Sequence, residues 1–547
     1  MRCQFILSIF IFFLFSDCFG QMKERTDLIV YNGKIYTVDN IYSIVEAFAV
    51  KNRKIIAVGS NYDILKRFSA DSLINATGRI VIPGFIDAHC HFYGYAMGLQ
   101  QVDLTGTLSF EDVLSRLKNA DKDFPGEWLV GRGWDQNTWE IKGFPDKSQL
   151  DRMFPDRPVV LIRIDGHSVL ANAEAIKRSG IIGKKQFSLG EIVIEDGQLT
   201  GIFCETAADF MKNSIPLPST KTQIYFLGQA QLNCFSVGLT GVADAGMDLG
   251  TIQFIDSLQQ SDFIKLRINV MLNPSKENIT HFIEKGPYRT EILNIRSIKL
   301  YADGSLGSRT ALLKQPYADA PGQTGILVTP VNQIRETCEL ALKNGYQVNT
   351  HAIGDSAVKL VLQIYGEFLK GKNDLRWRIE HAQVVDPEEL QLFGKFSVIP
   401  SVQATHATSD MYWAGDRLGK TRIKWAYSYN ALLQQNGWIA NGTDFPIERI
   451  DPLYTFYAAV ARKDMKGFPD GGFQKENALT REDALRSVTI WAAKASFEET
   501  SKGSIETGKF ADFVILDKDI MAIPEIEIVK TKVIKTFVGG KQVYGKK

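Results

Sequence analysis

Two histidines, His89 and His91, end an apolar segment of this chain, residues 81–91, and are the first residues whose spacing suggests chemistry. On a β-strand, side chains two positions apart point to the same face, which would place the two imidazoles side by side. Such a pair supplies part of the ligand set that a transition metal such as zinc prefers. Cys90 would point to the opposite face, where we expect it to pack in the core.

Further candidate ligands end downstream segments of the same apolar kind, and they are Lys299, His351, His381 and Asp444. Four of the seven histidines of the chain therefore stand at equivalent places. A carboxylate such as Asp444 can bind a metal and can also accept a proton from its water. The alternatives are a turn residue or helix cap for Asp444 and an exposed edge-strand lysine for Lys299.

The segments that carry these residues alternate with amphipathic helices. We predict strands at residues 297–301, 346–350, 377–379, 397–402 and 438–440, with helices between them, the first of which ends at Gly345. Repeated βα units predict an α/β fold with a parallel sheet, and a (β/α)₈ barrel is one closed form of it. Such a barrel carries its chemistry at the carboxyl ends of its strands, where the candidate ligands fall.

Two short β regions stand at opposite ends of the chain, at residues 21–82 and 503–547. Asn32-Gly33 and Asn52 predict two hairpins in the first region, and Gly539-Gly540 predicts one in the second. Because each region is too small to be stable alone, we expect both to form one composite β-sandwich. The barrel then takes residues 83–502, and the long interval between the first histidines and Lys299 predicts an insertion within about 94–290.

The bulk composition describes a soluble globular protein of more than one domain. The chain has 547 residues, 45% of them hydrophobic and 23% charged. Its 63 Lys and Arg against 62 Asp and Glu give a net charge of +1, which offers no argument for nucleic acid as a partner.

The first twenty residues have the pattern of a secretory signal peptide. Arg2 precedes an apolar stretch at residues 5–15, and Gly20 is a small residue at the expected cleavage point. The apolar stretch is too short for a stable membrane span, so we expect the mature chain to be exported, either periplasmic or secreted. A retained membrane anchor and a lipid-modified Cys18 are the alternatives.

Six motifs in a fixed order resemble the amidohydrolase superfamily. They are residues 83–91, 131–135, 303–310, 350–355, 442–446 and 503–517. Within that superfamily the chain is similar to the amidohydrolase-3 type, which includes N-substituted formamide deformylases. The resemblance extends from about residue 27 to residue 544.

This resemblance implies a distorted (β/α)₈ TIM barrel with a composite β-sandwich and a site for two divalent metal ions, most simply zinc. One metal would take His89, His91 and Asp444, and the other would take His351 and His381. Lys299 would bridge both as a carbamate formed with CO₂. A metal-bound hydroxide would then attack a carbonyl, and Asp444 would pass the proton to the leaving nitrogen.

Four more residues match positions that line the pocket of such enzymes, and they are His167, His406, Asp410 and Arg417. His167 or His406 would hydrogen-bond the carbonyl oxygen or the tetrahedral intermediate. The alternative for each is a structural hydrogen bond in a loop.

The resulting expectation is an exported binuclear hydrolase that cleaves a C–N bond, of amide or N-formyl type but not peptide, in a small-molecule substrate. Hydrolysis of an ester or lactone C–O bond by the same site is one alternative. A non-catalytic binding scaffold of the same fold is another, although the six ligand positions are all filled. A homodimer is also an expectation.

Overall fold

The computed structural model describes residues 23–122, 126–136, 139–140, 143–163, 168–181, 192–195, 197–216, 218–307 and 309–546. Its central element is a barrel of parallel strands, which confirms the predicted fold class. The strands follow one another around the barrel in chain order: Phe85–Cys90, Leu239–Met247, Arg267–Leu272, Leu293–Tyr301, Gln347–Ala352, Arg378–His381, Ile399–Val402 and Ala440–Asn441. We number them as barrel strands 1 to 8. A short strand, Tyr288–Arg289, pairs antiparallel with barrel strand 4.

Hydrogen bonds beyond the end of barrel strand 8 bring it against barrel strand 1. The Asp444 N–H donates to the His89 carbonyl at 2.8 Å, and the His91 N–H donates to the Phe445 carbonyl at 2.8 Å. A Cβ at Gly442 would lie 2.5 Å from the backbone nitrogen of His89, so the close approach requires glycine. The first and the last candidate ligand-bearing segments of the chain, which carry His89 with His91 and Asp444, therefore meet directly.

Helices cover the outside of the barrel, as the amphipathic pattern predicted. They are Phe92–Gly98, Thr220–Ser236, Leu249–Gln260, Lys276–His281, Val331–Asn344, Asp355–Leu369, Pro387–Phe396, Ala404–Asp410, Ala414–Arg422, Tyr429–Asn436, Pro452–Ala461, Arg481–Ser487 and Ile490–Ala495, with 3₁₀ turns at Ile283–Lys285, Ile423–Trp425, Lys475–Asn477 and Glu525–Lys530. The helix before barrel strand 5 ends at Gly345, which adopts the left-handed conformation at φ 72° as predicted. Across the described ranges, we find no helix with the length and apolarity needed to cross a bilayer.

A six-stranded sheet lies in the chain between barrel strands 1 and 2. In spatial order its strands are Ile192–Glu195, Gln198–Cys204, Ser168–Ala171, Val159–Arg163, Leu129–Trp134 and Gln101–Asp103. The helices of this inserted sheet are Phe110–Asp121, Ser148–Met153, Ala173–Ser179 and Glu205–Asn213. Separate apolar clusters cover its two faces, so the sheet is a layered unit of its own.

Two further sheets pack together at the termini of the chain. One consists of Glu24–Tyr31, Ala47–Lys51, Lys54–Gly59 and Phe68–Asn75, with the helix Asn61–Arg67, and the other of Lys34–Tyr36, Ile44–Val45, Ile80–Pro83, Phe513–Leu516, Val533–Val538 and Lys541–Tyr544. Phe48 from the first sheet contacts Phe513 from the second edge-on at 5.0 Å, and Phe513 stacks on Phe537. The second sheet therefore contains strands from both ends of the sequence.

The hairpin predicted at Asn32-Gly33 is wrong. The two flanking strands, Glu24–Tyr31 and Lys34–Tyr36, belong to different sheets and do not pair with each other. Asn32 does adopt a positive φ of 55°, so the local turn is present, but the chain uses it to pass from one sheet to the other. The other two predicted hairpins, at Asn52 and at Gly539-Gly540, are confirmed.

A buried ion pair joins the barrel to the terminal sheets. Arg267, at the start of barrel strand 3, donates through Nε and Nη2 to Asp512 at 2.5 and 2.9 Å. The Gly539 N–H also donates to Asp512 at 2.7 Å. Burial alone would raise the pKa of Asp512, but the charge and hydrogen bonds of Arg267 lower it below its usual value.

Candidate metal centre

The predicted ligands from barrel strands 1 and 8 converge in space. Asp444 Oδ1 lies 3.2 Å from His91 Nε2 and 3.5 Å from His89 Nε2. One ligand atom from each of these residues fits within a group whose members all lie within 4.8 Å of one another. This geometry can hold a metal ion with two imidazoles and one carboxylate, a ligand combination that suits zinc.

A second group of histidines lies on the other side of Asp444. The rings of His351 and His381 are 4.5 Å apart, and the ring of His406 stacks on His381 at 5.8 Å. His406 Nε2 is 3.7 Å from Asp444 Oδ2, and His381, His406 and Asp444 form a second group that could hold a metal ion. His406, which the sequence predicts as a substrate contact, therefore also lies at the distance of a ligand.

Several polar atoms of these groups are buried without a hydrogen-bond partner. They are Asp444 Oδ1, His381 Nδ1 and His406 Nε2. Leaving a buried polar atom unsatisfied costs about 1–3 kcal/mol, so three such atoms facing one small region need an explanation. A bound cation supplies it, because lone pairs that accept no hydrogen bond are free to coordinate. The donor set thus fits a metal site on its own chemistry.

Lys299 is buried at the same place. Its Nζ lies 3.2 Å from His89 Nε2 and 5.0 Å from the centre of the Tyr301 ring. Burial lowers the pKa of Lys299 to about 8. Its side chain is buried, and barrel strand 4 lies between barrel strands 3 and 5, which excludes the exposed edge-strand lysine considered from the sequence. Among the described residues, no carboxylate oxygen forms an ion pair with it.

Glu380 orients His89, a role that the sequence did not predict. Its carboxylate bonds to His89 Nδ1, accepts a hydrogen bond from Arg378 Nη2 at 2.9 Å and forms an ion pair with Arg378 Nε at 2.6 Å. All three side chains are fully buried. Because Nδ1 is engaged, His89 presents Nε2 to the centre, as in the carboxylate–histidine–metal arrangement. Burial is the main cause that lowers the pKa of His89 to about 4, so the ring is neutral and able to coordinate.

Asp87 fixes the backbone around two of the ligands. It accepts hydrogen bonds from the His89 N–H at 3.0 Å, the Thr443 N–H at 3.0 Å and the Thr443 hydroxyl at 2.7 Å. Burial raises the pKa of Asp87 to about 7. The residue stands two positions before His89 on an apolar strand, and that spacing is the signal that could have revealed it.

Asp303 plays the corresponding part for His351. It accepts the Ile353 N–H at 3.0 Å and the Gly354 N–H at 2.8 Å, directly after barrel strand 5. His351 Nε2 donates to the Gly304 carbonyl at 3.2 Å and lies 3.6 Å from Asp303 Oδ1. This contact leaves Nδ1 of His351 as the nitrogen available to a metal.

Of the other residues that the sequence predicts to line the pocket, Asp410 and Arg417 are not part of the two candidate ligand groups. Asp410 accepts hydrogen bonds from the Tyr427 hydroxyl at 2.8 Å and from Gln383 at 3.2 Å. Arg417 pairs with Asp319 and donates to the Gly307 carbonyl at 3.3 Å. His167 lies outside the described residues. Cys90 is fully buried in the core with a free thiol, as predicted.

Histidines, a lysine and an aspartate at the carboxyl ends of an eight-stranded parallel barrel define a metal-dependent hydrolase of barrel fold. Comparison with known proteins agrees with this class. The chain belongs to the amidohydrolase family, whose model matches residues 72–544.

Similar proteins cover nearly the whole chain. Protein LONG AFTER FAR-RED 3 from Arabidopsis thaliana is 32% identical over 95% of this chain and 91% of its own length. The putative amidohydrolase YtcJ from Bacillus subtilis is 31% identical over 94% and 99%. The N-substituted formamide deformylase of Arthrobacter pascens is 23% identical over 95% and 98%.

A solved structure extends this similarity to three dimensions. An uncharacterized metal-dependent hydrolase from Pyrococcus horikoshii superposes with a TM-score of 0.77 at 29% identity. The superposition covers 91% of this chain and 99% of the other.

Proposed function

We propose that this protein is a binuclear metal-dependent amidohydrolase that cleaves the C–N bond of an amide or N-formyl group in a small-molecule substrate. The observation that supports it best is the convergence of two ligand groups on one shared carboxylate, Asp444. A carboxylate with one oxygen toward each group suits two metal ions held close together. The name of the deformylase relative supports a C–N bond as the target.

One metal would be held by His89, His91 and Asp444, and the other by His351 and His381, with Lys299 between them as a carbamate. His406, which the geometry also places in the second group of possible ligands, is assigned to the substrate instead. Zinc suits a set made of imidazoles and carboxylates. When bound, such ions lower the pKa of water and polarise a carbonyl. The burial of the Lys299 amine beside His89, with no carboxylate of the described residues in ion-pair contact with it, supports the carbamate.

Asp444 is the proton carrier in this proposal. Burial alone would raise its pKa, but the contact with His91 at 3.2 Å and the neighbouring imidazoles of His89 and His406 outweigh that effect, and the pKa is below its usual value. The side chain is therefore an anion that can take a proton from the attacking water. It then returns the proton to the leaving nitrogen, since an amine anion departs too slowly without one.

His406 is the group that meets the substrate carbonyl. It faces Asp444 through Nε2, lies in the first turn of the helix Ala404–Asp410 after barrel strand 7, and stacks on His381. An imidazole N–H at this place would stabilise the negative charge that develops on the oxygen.

The test is a substrate screen on purified protein with its metal content measured. We expect about two divalent ions per chain and turnover of N-formyl or N-acyl compounds. Asp444→Asn should lower kcat by at least about a hundredfold, because it removes the proton acceptor. Asp416→Asn, on an exposed helix, is the control and should retain activity.

Other outcomes would reject the proposal in distinct ways. Faster hydrolysis of lactones or esters than of every amide would show that the site cleaves a C–O bond rather than a C–N bond. Full activity after chelation, or in Asp444→Asn, would exclude the metal-dependent mechanism. Metal binding without any turnover would instead support a binding scaffold.

We also propose that residues 1–20 are removed on export and that two copies of the mature chain associate. N-terminal sequencing of protein from its native host would give a start near Gln21. Light scattering would give the mass of a dimer, and a monomer mass would reject that part.

A further inference from the structure

The strand Leu129–Trp134, second from one edge of the inserted sheet, carries a motif that the metal centre does not use. Side chains alternate along it, so Val130 and Arg132 share one face with the preceding Trp128. These three residues line a cleft of about 830 Å³. Leu129 points to the other face and joins a separate apolar core.

Two glycines fix Arg132 at the end of this face. A Cβ at Gly131 would lie 2.6 Å from Leu104 Cδ1, and one at Gly133 would lie 2.4 Å from Thr105 Oγ1. Gly133 also has a φ of 105°, a conformation that side chains rarely adopt. The glycines allow the strand to pack closely on its neighbour, and Arg132 between them is exposed toward the cleft.

The lining of the cleft combines apolar and polar side chains. Its apolar part includes Trp128 and Val130 from the inserted sheet, Met97 from the first barrel helix and Ile215 from the segment before the second. A cleft of this volume with apolar side chains and several polar groups has the character of a small-molecule site.

Arg132 is a charge without a counter-charge in this cleft. Among the described residues, no side chain pairs with its guanidinium. The acidic residue of the lining, Glu127, is already paired with Arg178 outside the cleft. The cleft therefore combines apolar side chains with the cation of Arg132, which complements an amphipathic anion.

The first barrel helix links the cleft to the candidate metal centre along the chain. Tyr93 lines the cleft, stands two residues after His91, and donates its backbone N–H to Asp244 of barrel strand 2 at 2.8 Å. The Tyr93 hydroxyl donates at 3.1 Å to Gln223, which also lines the cleft. A residue of the cleft and a candidate metal ligand thus belong to the same short segment.

We infer that this cleft binds the apolar, carboxylate-bearing end of the substrate and that Arg132 recognises the carboxylate. The inference rests on the proposed function for the bond that is cleaved, and it adds the substrate class: amides whose apolar chain ends in a carboxylate. A guanidinium suits this task because its planar fork can donate two parallel hydrogen bonds to a carboxylate.

The experiment compares ω-(acylamino)alkanoates of increasing chain length with the same amides ending in a methyl group. We expect the metal-loaded enzyme to prefer the carboxylates, and Arg132→Met to reduce that preference, measured as the ratio of kcat/KM values, by at least about tenfold. In Arg132→Met the KM for the carboxylates should rise while kcat stays unchanged, as for binding remote from the reacting bond. Arg132→Lys should recover part of the preference for carboxylates, and added salt should weaken that preference.

Arg152→Met is the matched control, since Arg152 is an exposed arginine of the inserted segment and does not line the cleft. Its preference ratio should equal that of the unmodified enzyme. An equal ratio in Arg132→Met would overturn the inference, and so would a preference for the methyl-terminated amides, while hydrolysis of either series would leave the proposed function intact.

A binding measurement separates the two proposals further. Calorimetric titration with a medium-chain alkanoate needs no turnover, and we expect Arg132→Met to weaken its binding about tenfold or more while Arg152→Met does not. Binding without hydrolysis of any amide would reject the proposed function alone. No binding, or binding that is equal in both variants, would reject the cleft as a carboxylate site.

Discussion

The carboxylate of Glu380 occupies one ring nitrogen of His89 and so decides which nitrogen faces the metal centre. Arg378 in turn holds Glu380 through both of its carboxylate oxygens. This buried chain of contacts lets a single imidazole coordinate in one fixed orientation, which raises metal affinity.

Replacing Glu380 with Gln should therefore weaken metal binding about 10–100-fold. The variant should also be less stable by about 3–5 kcal/mol, because Arg378 is left as an unpaired buried charge. Metal affinity by competition with a chelator and unfolding in urea measure the two effects. Glu388→Gln, on the exposed face of the helix Pro387–Phe396, should change neither. Equal metal affinity in both variants would contradict this role of Glu380.

Residue types and spacing predicted the candidate ligands that the structure brings together, but not the residues that orient them. On a regular strand Glu380 and His381 would point to opposite faces, yet both side chains contact the region of His89. His381 has a φ of 71° and Ala382 a φ of 42°, and Asp444 likewise has a φ of 62°. The surrounding fold holds these non-glycine residues in the left-handed conformation, so the local sequence does not predict it.

At the level of elements, the closure between barrel strands 8 and 1 depends on Gly442. Gly442→Ala would place a methyl group within 2.5–2.7 Å of the His89 backbone and Asp87 Oδ1. We expect a loss of about 1–3 kcal/mol in unfolding free energy and a lower metal content, since His89 would shift. Thermal unfolding and metal analysis measure both.

Gly250→Ala is the contrasting change. This glycine lies in the helix Leu249–Gln260, and nothing lies within 4 Å of the added methyl group. The unfolding free energy of the Gly250→Ala variant should be unchanged or higher by up to about 1 kcal/mol, because alanine favours helix more than glycine does. If Gly442→Ala behaved in the same way, the close contact between the two strands would not be essential.

The strands of the second half of the barrel follow the predicted ranges within a few residues, and the helix before barrel strand 5 ends at the predicted Gly345, because apolar periodicity and glycine stops are local signals. Strand partners are not local. Asn32-Gly33 shows the difference: the turn forms, but the strands beside it find partners elsewhere, at Phe68–Asn75 and Ile80–Pro83. Strand pairing depends on burial against segments that are distant in sequence, so a two-residue turn motif does not predict which strands pair.

At the scale of the whole molecule, the Arg267–Asp512 pair makes stability depend on acidity. The folded-state pKa of Asp512 is below its usual value, so the pair stabilises the fold fully above about pH 4 and loses this contribution as the pH falls through the lower folded pKa. Asp512→Asn should lower the unfolding free energy at pH 7 by about 3–5 kcal/mol, since Arg267 loses its counter-charge.

Urea unfolding at several pH values measures this effect. The difference between Asp512→Asn and the unmodified protein should shrink as the pH is lowered below about 4. Asp470→Asn, at an exposed loop position, should follow the unmodified protein throughout. A difference that is constant with pH would show that Asp512 does not titrate with folding.

The shared terminal sheet has a consequence for how the protein is made. Strand Ile80–Pro83 needs Phe513–Leu516 as its neighbour, and barrel strand 1 with His89 follows it after one residue. The ribosome synthesises all eight barrel strands before residue 513, so the strand that carries His89 cannot be held in place until the C-terminal segment has been made. A chain truncated after residue 512 should therefore bind no metal, and the metal content of the protein would report whether the C-terminal strands are present.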